Sequence, residues 1–462
     1  MSSPYQRPEL MVIGDSLPQG CRSLSVSAEF CADSYPAQAT RLAQIPFRVP
    51  QHPRPVIFDL EAIAGDVIFE GLPAIFGGAA RNYAEWREDF ERKAKDVYFD
   101  NLAVTGFTLE DTLGEEFQAD GSTPACGTSE LADAWLAKTP DFDLRKHGAL
   151  LSDLHTAINA RYVLNPGNDR RRRGWSQLDW VADRQPKHLV VHLGHNNGLY
   201  AFGSRGDPSG WQRNWLGPAA PALQSYRRII DRLAADLPVT NVIVIGLPKI
   251  GAVSNLMPLG TSRLPADGDY FENYETQFPF LATISGERVR ATDAEIVQVN
   301  REIEQLVTAT GRFSYFSAYD FVARHDTKNT GETPLRVGRY TIDNTYLDGK
   351  YQRRPGRPGV GGTYRWVFER GGLQSIDGMH PTSVGDAVLA FELYRLLTGT
   401  PLSHAERDRH LRKVVLRERL ISQYPQGLDT VQKIVRKYSH GSQSADEQTF
   451  NDAIRGLTHV VG

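Results

Sequence analysis

The chain has 462 residues, 40% of them hydrophobic and 23% charged, with a formal net charge of -3. That balance fits a globular protein able to bury a large core without covalent staples. It supplies no whole-chain attraction to nucleic acid or to a membrane surface. Cys21, Cys31 and Cys126 are the only cysteines. They are too few and odd in number for a disulfide framework and read as free buried thiols, with a Cys21–Cys31 bridge as the alternative. No apolar run is long enough to span a bilayer. No basic segment backed by an apolar stretch opens the chain, so a cytoplasmic location is expected.

The first element is the apolar run Leu10–Ile13, a buried strand that stops at Gly14-Asp15-Ser16 and presents a hydroxyl at its carboxyl end. Ser34 is a plausible N-cap, with Pro36 tolerated early in the helix that follows. Residues 46–55 are proline-rich loop, and 56–96 form an insertion with some helix over 81–95. A second strand is predicted at 96–105, closed by Gly106. Residues 144–164 have helical spacing. The basic run Arg170–Arg173 reads as a solvated insertion face, the sharper alternative being an anion-attracting rim.

A third strand, His188–Leu193, breaks at Gly194-His195-Asn196-Asn197. An amphipathic helix over 219–237 leads to a fourth strand, Asn241–Ile245. Residues 255–285 read as a loop-rich insertion and 293–308 as a helix. A fifth strand is expected at 313–316. Residues 325–372, rich in Gly, Arg and Thr, read as a long functional or mobile loop. Asp377-Gly378-Met379-His380-Pro381-Thr382 then precedes a helix over 383–397. The tail is expected to form helices at 406–422, 428–438 and 446–457.

Strands alternating with helices predict an α/β fold with a central parallel sheet of about five strands and helices on both faces. Right-handed crossovers bring the strand carboxyl ends to one edge, where Ser16, Gly106 and Asn196 would meet. We expect one main domain over 1–400, with insertions near 45–95, 108–185, 255–290 and 325–372. A helical extension over 401–462 would pack on it.

Ser16 needs a base, an orienter and an oxyanion hole to act as a nucleophile. Asp377 and His380 are three residues apart, a spacing that on one helical turn lets the carboxylate hold the imidazole. The Gly106 backbone N–H and the Asn196 amide are suitable oxyanion donors. No His-Glu-x-x-His spacing, dinucleotide fingerprint or phosphate loop occurs, so no metal and no cofactor are implied.

In this order the motifs resemble the GDSL esterase/lipase family of the SGNH hydrolase superfamily. Gly14-Asp15-Ser16-Leu17 is similar to its first block, Asn101–Gly106 to its second, Gly194–Asn197 to its third and Asp377–Thr382 to its fifth. Tyr35–Gln38, Gly246–Pro248 and Val299–Glu302 also fall where family members carry similar segments. The third block usually ends in Asp, where this chain has Asn197.

The resemblance implies a flavodoxin-like three-layer α/β/α sandwich. It implies Ser16, His380 and Asp377 as the triad, and Ser16, Gly106 and Asn196 as the oxyanion hole. His192 and His195 read as packing residues, and Asp15 as a bond to its own turn. The expected activity is hydrolysis of a small-molecule or lipid carboxylic ester. The alternatives are acyl transfer to a sugar or other alcohol, and a non-catalytic binding module on the same fold. The arginines at 170–173 and 353–357 favour an anionic substrate. Neither nucleic acid nor an integral membrane segment is expected, and the oligomeric state stays open.

Overall fold

The computed structural model describes residues 7–91, 97–115, 126–138, 151–217, 219–260, 270–278, 281–331, 333–354 and 363–428. Its centre is a parallel sheet of four strands in the order β1 (Leu10–Gly14), β2 (His188–His192), β3 (Asn241–Ile245) and β4 (Ser314–Phe316). Register is unbroken, with Gly14 opposite His192 and His192 opposite Ile245. β1 to β3 are near-continuous apolar runs, as strands covered on both faces require.

Alternate residues feed two cores. Met11, Ile13, Leu189, Val191, Val242 and Val244 face one core, together with apolar residues of Leu151–Leu164, Pro221–Asp236 and Gly286–Thr308. Leu10, Val12, Val190, Ile243 and Ile245 face the other, with residues of Tyr35–Ala43 and Ser383–Thr398. The chain is therefore a mixed α/β structure around a parallel sheet. Among the described residues no helix is long and apolar enough to cross a membrane.

Several expectations need correction. The segment near 100 is not a full fifth strand. It runs parallel along the free edge of β1, where Val12 and Leu102 exchange bonds with Asp100 and Val12 at 2.9 and 2.8 Å, but it forms only an isolated bridge at Asn101. The Ala103 N–H turns back to Asn101 Oδ1 at 3.1 Å, a local side-chain bond that competes with the ladder.

The helix expected over 81–95 begins far earlier, running over Leu60–Glu91, and residues 92–95 lie outside the described residues. Residues 255–285 contain a small antiparallel sheet of Leu256–Pro258, Asn273–Thr276 and Thr283–Ser285. The stretch 325–372, expected to be loop, holds two hairpins, Leu335–Val337 with Tyr340–Ile342 and Asp348–Arg354 with Thr363–Arg370. The expected helical residues 144–150, 429–438 and 446–457 lie outside the described residues. In the tail, His404–Arg417 and Arg419–Ser422 are helical. Leu411, Val414 and Val415 pack with Val384, Ala387 and Phe391.

Candidate active site

Ser16 opens the short helix Ser16–Gln19 just past the end of β1. The turn is fixed from below by Asp15, which is fully buried. Its carboxylate accepts from Leu17 N at 3.4 Å and from His195 Nδ1 at 2.7 Å. His195 and Asp15 are 180 residues apart, so this bond ties the Ser16 turn to the loop after β2. Burial pushes the Asp15 carboxyl up, but the charge and hydrogen bond of His195 more than offset it and hold it below its ordinary value. The expectation that Asp15 only bonds its turn and His195 only packs is therefore too narrow.

Behind this pair, the rings of His195 and His192 meet edge to face at 4.9 Å, and His192 Nδ1 shares a hydrogen bond with the Tyr35 hydroxyl at 3.1 Å. Burial lowers His192 to about 3. The Nε2 atoms of both histidines are buried without a partner.

Gly106 lies past the edge segment with φ at +90°, and a Cβ there would meet Thr156 Oγ1 at 2.1 Å, so only glycine fits. Its position is set by Gln19, whose Oε1 accepts from Thr105 N at 2.8 Å and from Asn159 Nδ2 at 2.7 Å, while its Nε2 donates to Asn159 Oδ1 at 2.9 Å. Asn196 reaches the same loop, donating from Nδ2 to Phe107 O at 2.9 Å. Ser16, Gly106 and Asn196 thus follow three adjacent parallel segments whose loops are bonded to one another.

Asn197 braces the loop from the other side. Its Oδ1 accepts from Leu109 N at 3.1 Å and its Nδ2 donates to Glu110 Oε2 at 2.9 Å. Glu110 is buried and also accepts from Ser225 Oγ at 2.8 Å. An aspartate at 197 would set two buried carboxylates against each other, which accounts for the asparagine.

Asp377 and His380 do pair, but not on a helical turn. Asp377–His380 is a bend with Gly378 at φ +67°, where an added Cβ would meet Asn255 backbone at 2.7 Å. The helix begins only at Ser383, capped by Thr382. Asp377 Oδ1 accepts from the Met379 and His380 N–H groups at 2.8 Å each, and Oδ2 accepts from His380 Nδ1 at 2.9 Å.

The bend is stapled to the loop that follows Ser16. Leu24 N donates to Asp377 Oδ2 at 2.8 Å, Ser23 N to Ser375 Oγ at 2.8 Å, and Ile376 N to Ser23 Oγ at 3.2 Å. Burial pushes Asp377 up, yet the His380 ring and the His380 and Met379 N–H groups bring it below its ordinary value. Burial pushes the His380 imidazole down, but Cys21 and then Asp377 outweigh it and hold it well above its ordinary value.

Cys21 escaped the sequence reading. Its N–H donates to Ser16 O at 3.0 Å, and its thiol lies close enough to the His380 ring to help raise the imidazole pKa. No hydrogen bond joins the Ser16 hydroxyl to His380. Ser16 and His380 are each 5% exposed, whereas Cys21 is fully buried. All three cysteines are free. Nearby, His52 and His155 are lowered by burial to about 4 and about 3.

The basic run Arg170–Arg173 is divided in its contacts. Arg171 and Arg173 pair with Asp169 and Asp133, while Arg172 stacks on Tyr98, Trp175 and Trp180. Among the described residues no group of three or more His, Cys, Asp or Glu side chains is arranged to hold a metal ion. No family model matches the chain, and no curated protein does either.

Proposed function

We propose that the chain is a serine hydrolase of carboxylic esters, of the GDSL type that its motifs resemble. The observation that carries the reading is the clasp between two distant loops. Asp377 holds His380 by Nδ1 with one oxygen shared with Leu24 N, and so binds the base to the segment just after Ser16. With Nδ1 engaged, Nε2 is the atom left to take a proton.

In this mechanism Ser16 Oγ attacks the ester carbonyl and passes its proton to His380. The Ser16 and Gly106 N–H groups and the Asn196 amide stabilise the oxyanion. The alcohol leaves with the proton from His380, and water, activated by His380, releases the acid. Catalytic hydrogen bonds are often longer in the free enzyme than in the substrate complex, which fits the unmade Ser16–His380 bond. The fold we assign is the flavodoxin-like sandwich. Counting the edge segment, the strand order is 2-1-3-4-5, and cores lie on both faces.

A second reading takes Cys21 as the nucleophile, since its N–H is bonded to Ser16 O and its thiol lies beside His380. Its complete burial, against the slight exposure of Ser16, ranks it lower. Hydrolysis of short p-nitrophenyl esters separates the two. Ser16→Ala is expected to lose roughly 10³-fold or more in kcat while Cys21→Ala keeps activity. The reverse pattern assigns the chemistry to Cys21, and full activity in both variants overturns the proposal.

A further inference from the structure

The hairpin Asp348–Arg354/Thr363–Arg370 is not used by the mechanism above. At its base it belongs to the protein interior. Phe368 packs into the core, and the backbone of Trp366 is clamped by the Gln426 amide at 2.8 and 2.9 Å. Further out, the same face turns to solvent. Tyr351 lies opposite Trp366, and Tyr364 opposite Arg353. Tyr351 and Tyr364 are 60% and 55% exposed, two of the six large hydrophobic side chains exposed among the described residues. Their rings stack at 5.1 Å with an interplanar angle of 3°.

Charge is distributed unevenly along the same element. Its two strands carry five Lys or Arg against two Asp or Glu, a net +3 within a chain of net charge -3. Both acids sit near the base and are already paired, Asp348 with Arg370 at 3.2 Å and Glu369 with Lys350 at 3.0 Å. Arg353 and Arg365, farther out and exposed, have no ion pair among the described residues.

An exposed tyrosine pair with the uncompensated Arg353 on its own face, and Arg365 on the reverse face of the same thin hairpin, matches the boundary of an anionic lipid layer, where amphipathic rings sit at headgroup depth and cations meet phosphate. A platform for bases or sugars keeps its ring faces open; here each ring gives one face to the other. The chain just outside the hairpin is bonded to the segment bearing the proposed base: the Tyr346 hydroxyl, two residues before its first strand, donates to Ile376 O, next to Asp377.

We propose that this hairpin docks the protein on an anionic lipid surface. That the ester lies in that surface rests on the hydrolase reading; the docking does not. The test is sedimentation of the full chain with vesicles of phosphatidylcholine alone and with about 30% phosphatidylglycerol. Binding is expected only to the anionic vesicles and is expected to fall as salt is raised. Arg353→Gln/Arg365→Gln is expected to lower the partition about 25-fold, about five-fold per arginine. Tyr351→Ser/Tyr364→Ser, which keeps the charge, is expected to lower it as well. Both variants keep hydrolysis of a soluble ester. Equal binding to neutral vesicles, unchanged binding of the arginine variant, or retention on single-stranded nucleic acid without vesicle binding would overturn the docking. Since binding is read without turnover, it can fail or hold independently of the esterase assignment.

Discussion

Replacing Asn197 by Asp restores the residue usual in the resembled motif, yet this structure makes it a costly change. The amide donates to Glu110 at 2.9 Å between two side chains that are 2% and 8% exposed. An aspartate keeps the acceptor for Leu109 N but turns the donor into a second carboxylate. With charge centres about 4 Å apart and an effective dielectric near 20, the repulsion is about 4 kcal/mol. The alternative is to bind a proton between the two oxygens. From a free carboxylate pKa near 4, that costs about 5 kcal/mol at pH ~8 but only about 1.4 kcal/mol at pH ~5.

The variant is therefore expected to lose about 4 kcal/mol at the higher pH and about 1.5 kcal/mol at the lower. The sign follows from linkage: at the lower pH the folded variant holds a proton that the unfolded chain has largely released, and it gives that proton up as pH rises, so its stability falls until the repulsion limit is reached. Urea unfolding followed by circular dichroism at both pH values measures this. Glu110→Gln added to Asn197→Asp reverses donor and acceptor and is expected to recover most of the loss. A loss under about 1 kcal/mol at pH ~8, or one that does not change with pH, would refute the role assigned to Glu110.

His195→Ala removes the 2.7 Å donor to Asp15. It is expected to lower ester-hydrolysis kcat about 10- to 100-fold with KM little changed, because the nucleophile turn is misplaced while substrate contacts remain. His195→Asn, which keeps an amide donor, is expected to recover part of the rate, and an unchanged kcat in His195→Ala would contradict the role. The raised His380 pKa places the acid limb of kcat/KM above the ordinary histidine value, since a base must be neutral to act. Cys21→Ala should shift that limb to lower pH, and a limb that stays in place would remove Cys21 as its cause. By linkage, His380 contributes stability below about pH 6.5 that is lost as pH rises through its folded pKa. Asp377, held low, contributes above about pH 4 and loses it on acidification.

Legibility in the sequence followed the physics of each element. Leu10–Gly14, His188–His192 and Asn241–Ile245 were readable because strands buried on both faces are apolar runs ended by Gly or a polar loop. The edge segment at 100–104 shares that composition, but its ladder is interrupted by the Asn101 side chain. The hairpins within 325–372 were hidden because only part of each face is buried, and Gly and Arg dilute the alternation.

The Asp377–His380 spacing pointed to a real contact through the wrong conformation. Gly378 at positive φ builds a bend that does the work expected of a helix. The Asp15–His195 bond, the Asn197–Glu110 brace and the thiol beside His380 join residues far apart in the chain. No local pattern encodes such pairs, and the nearest clue was the unusual Asn197 itself.

The central claim is that the Ser16 hydroxyl is the nucleophile served by His380. Incubation with a fluorophosphonate, followed by mass spectrometry of the digested protein, tests it directly. The account predicts a single stoichiometric adduct on Ser16, abolished in Ser16→Ala and strongly slowed in His380→Ala. An adduct elsewhere, or equal labelling of Ser16→Ala, would contradict it.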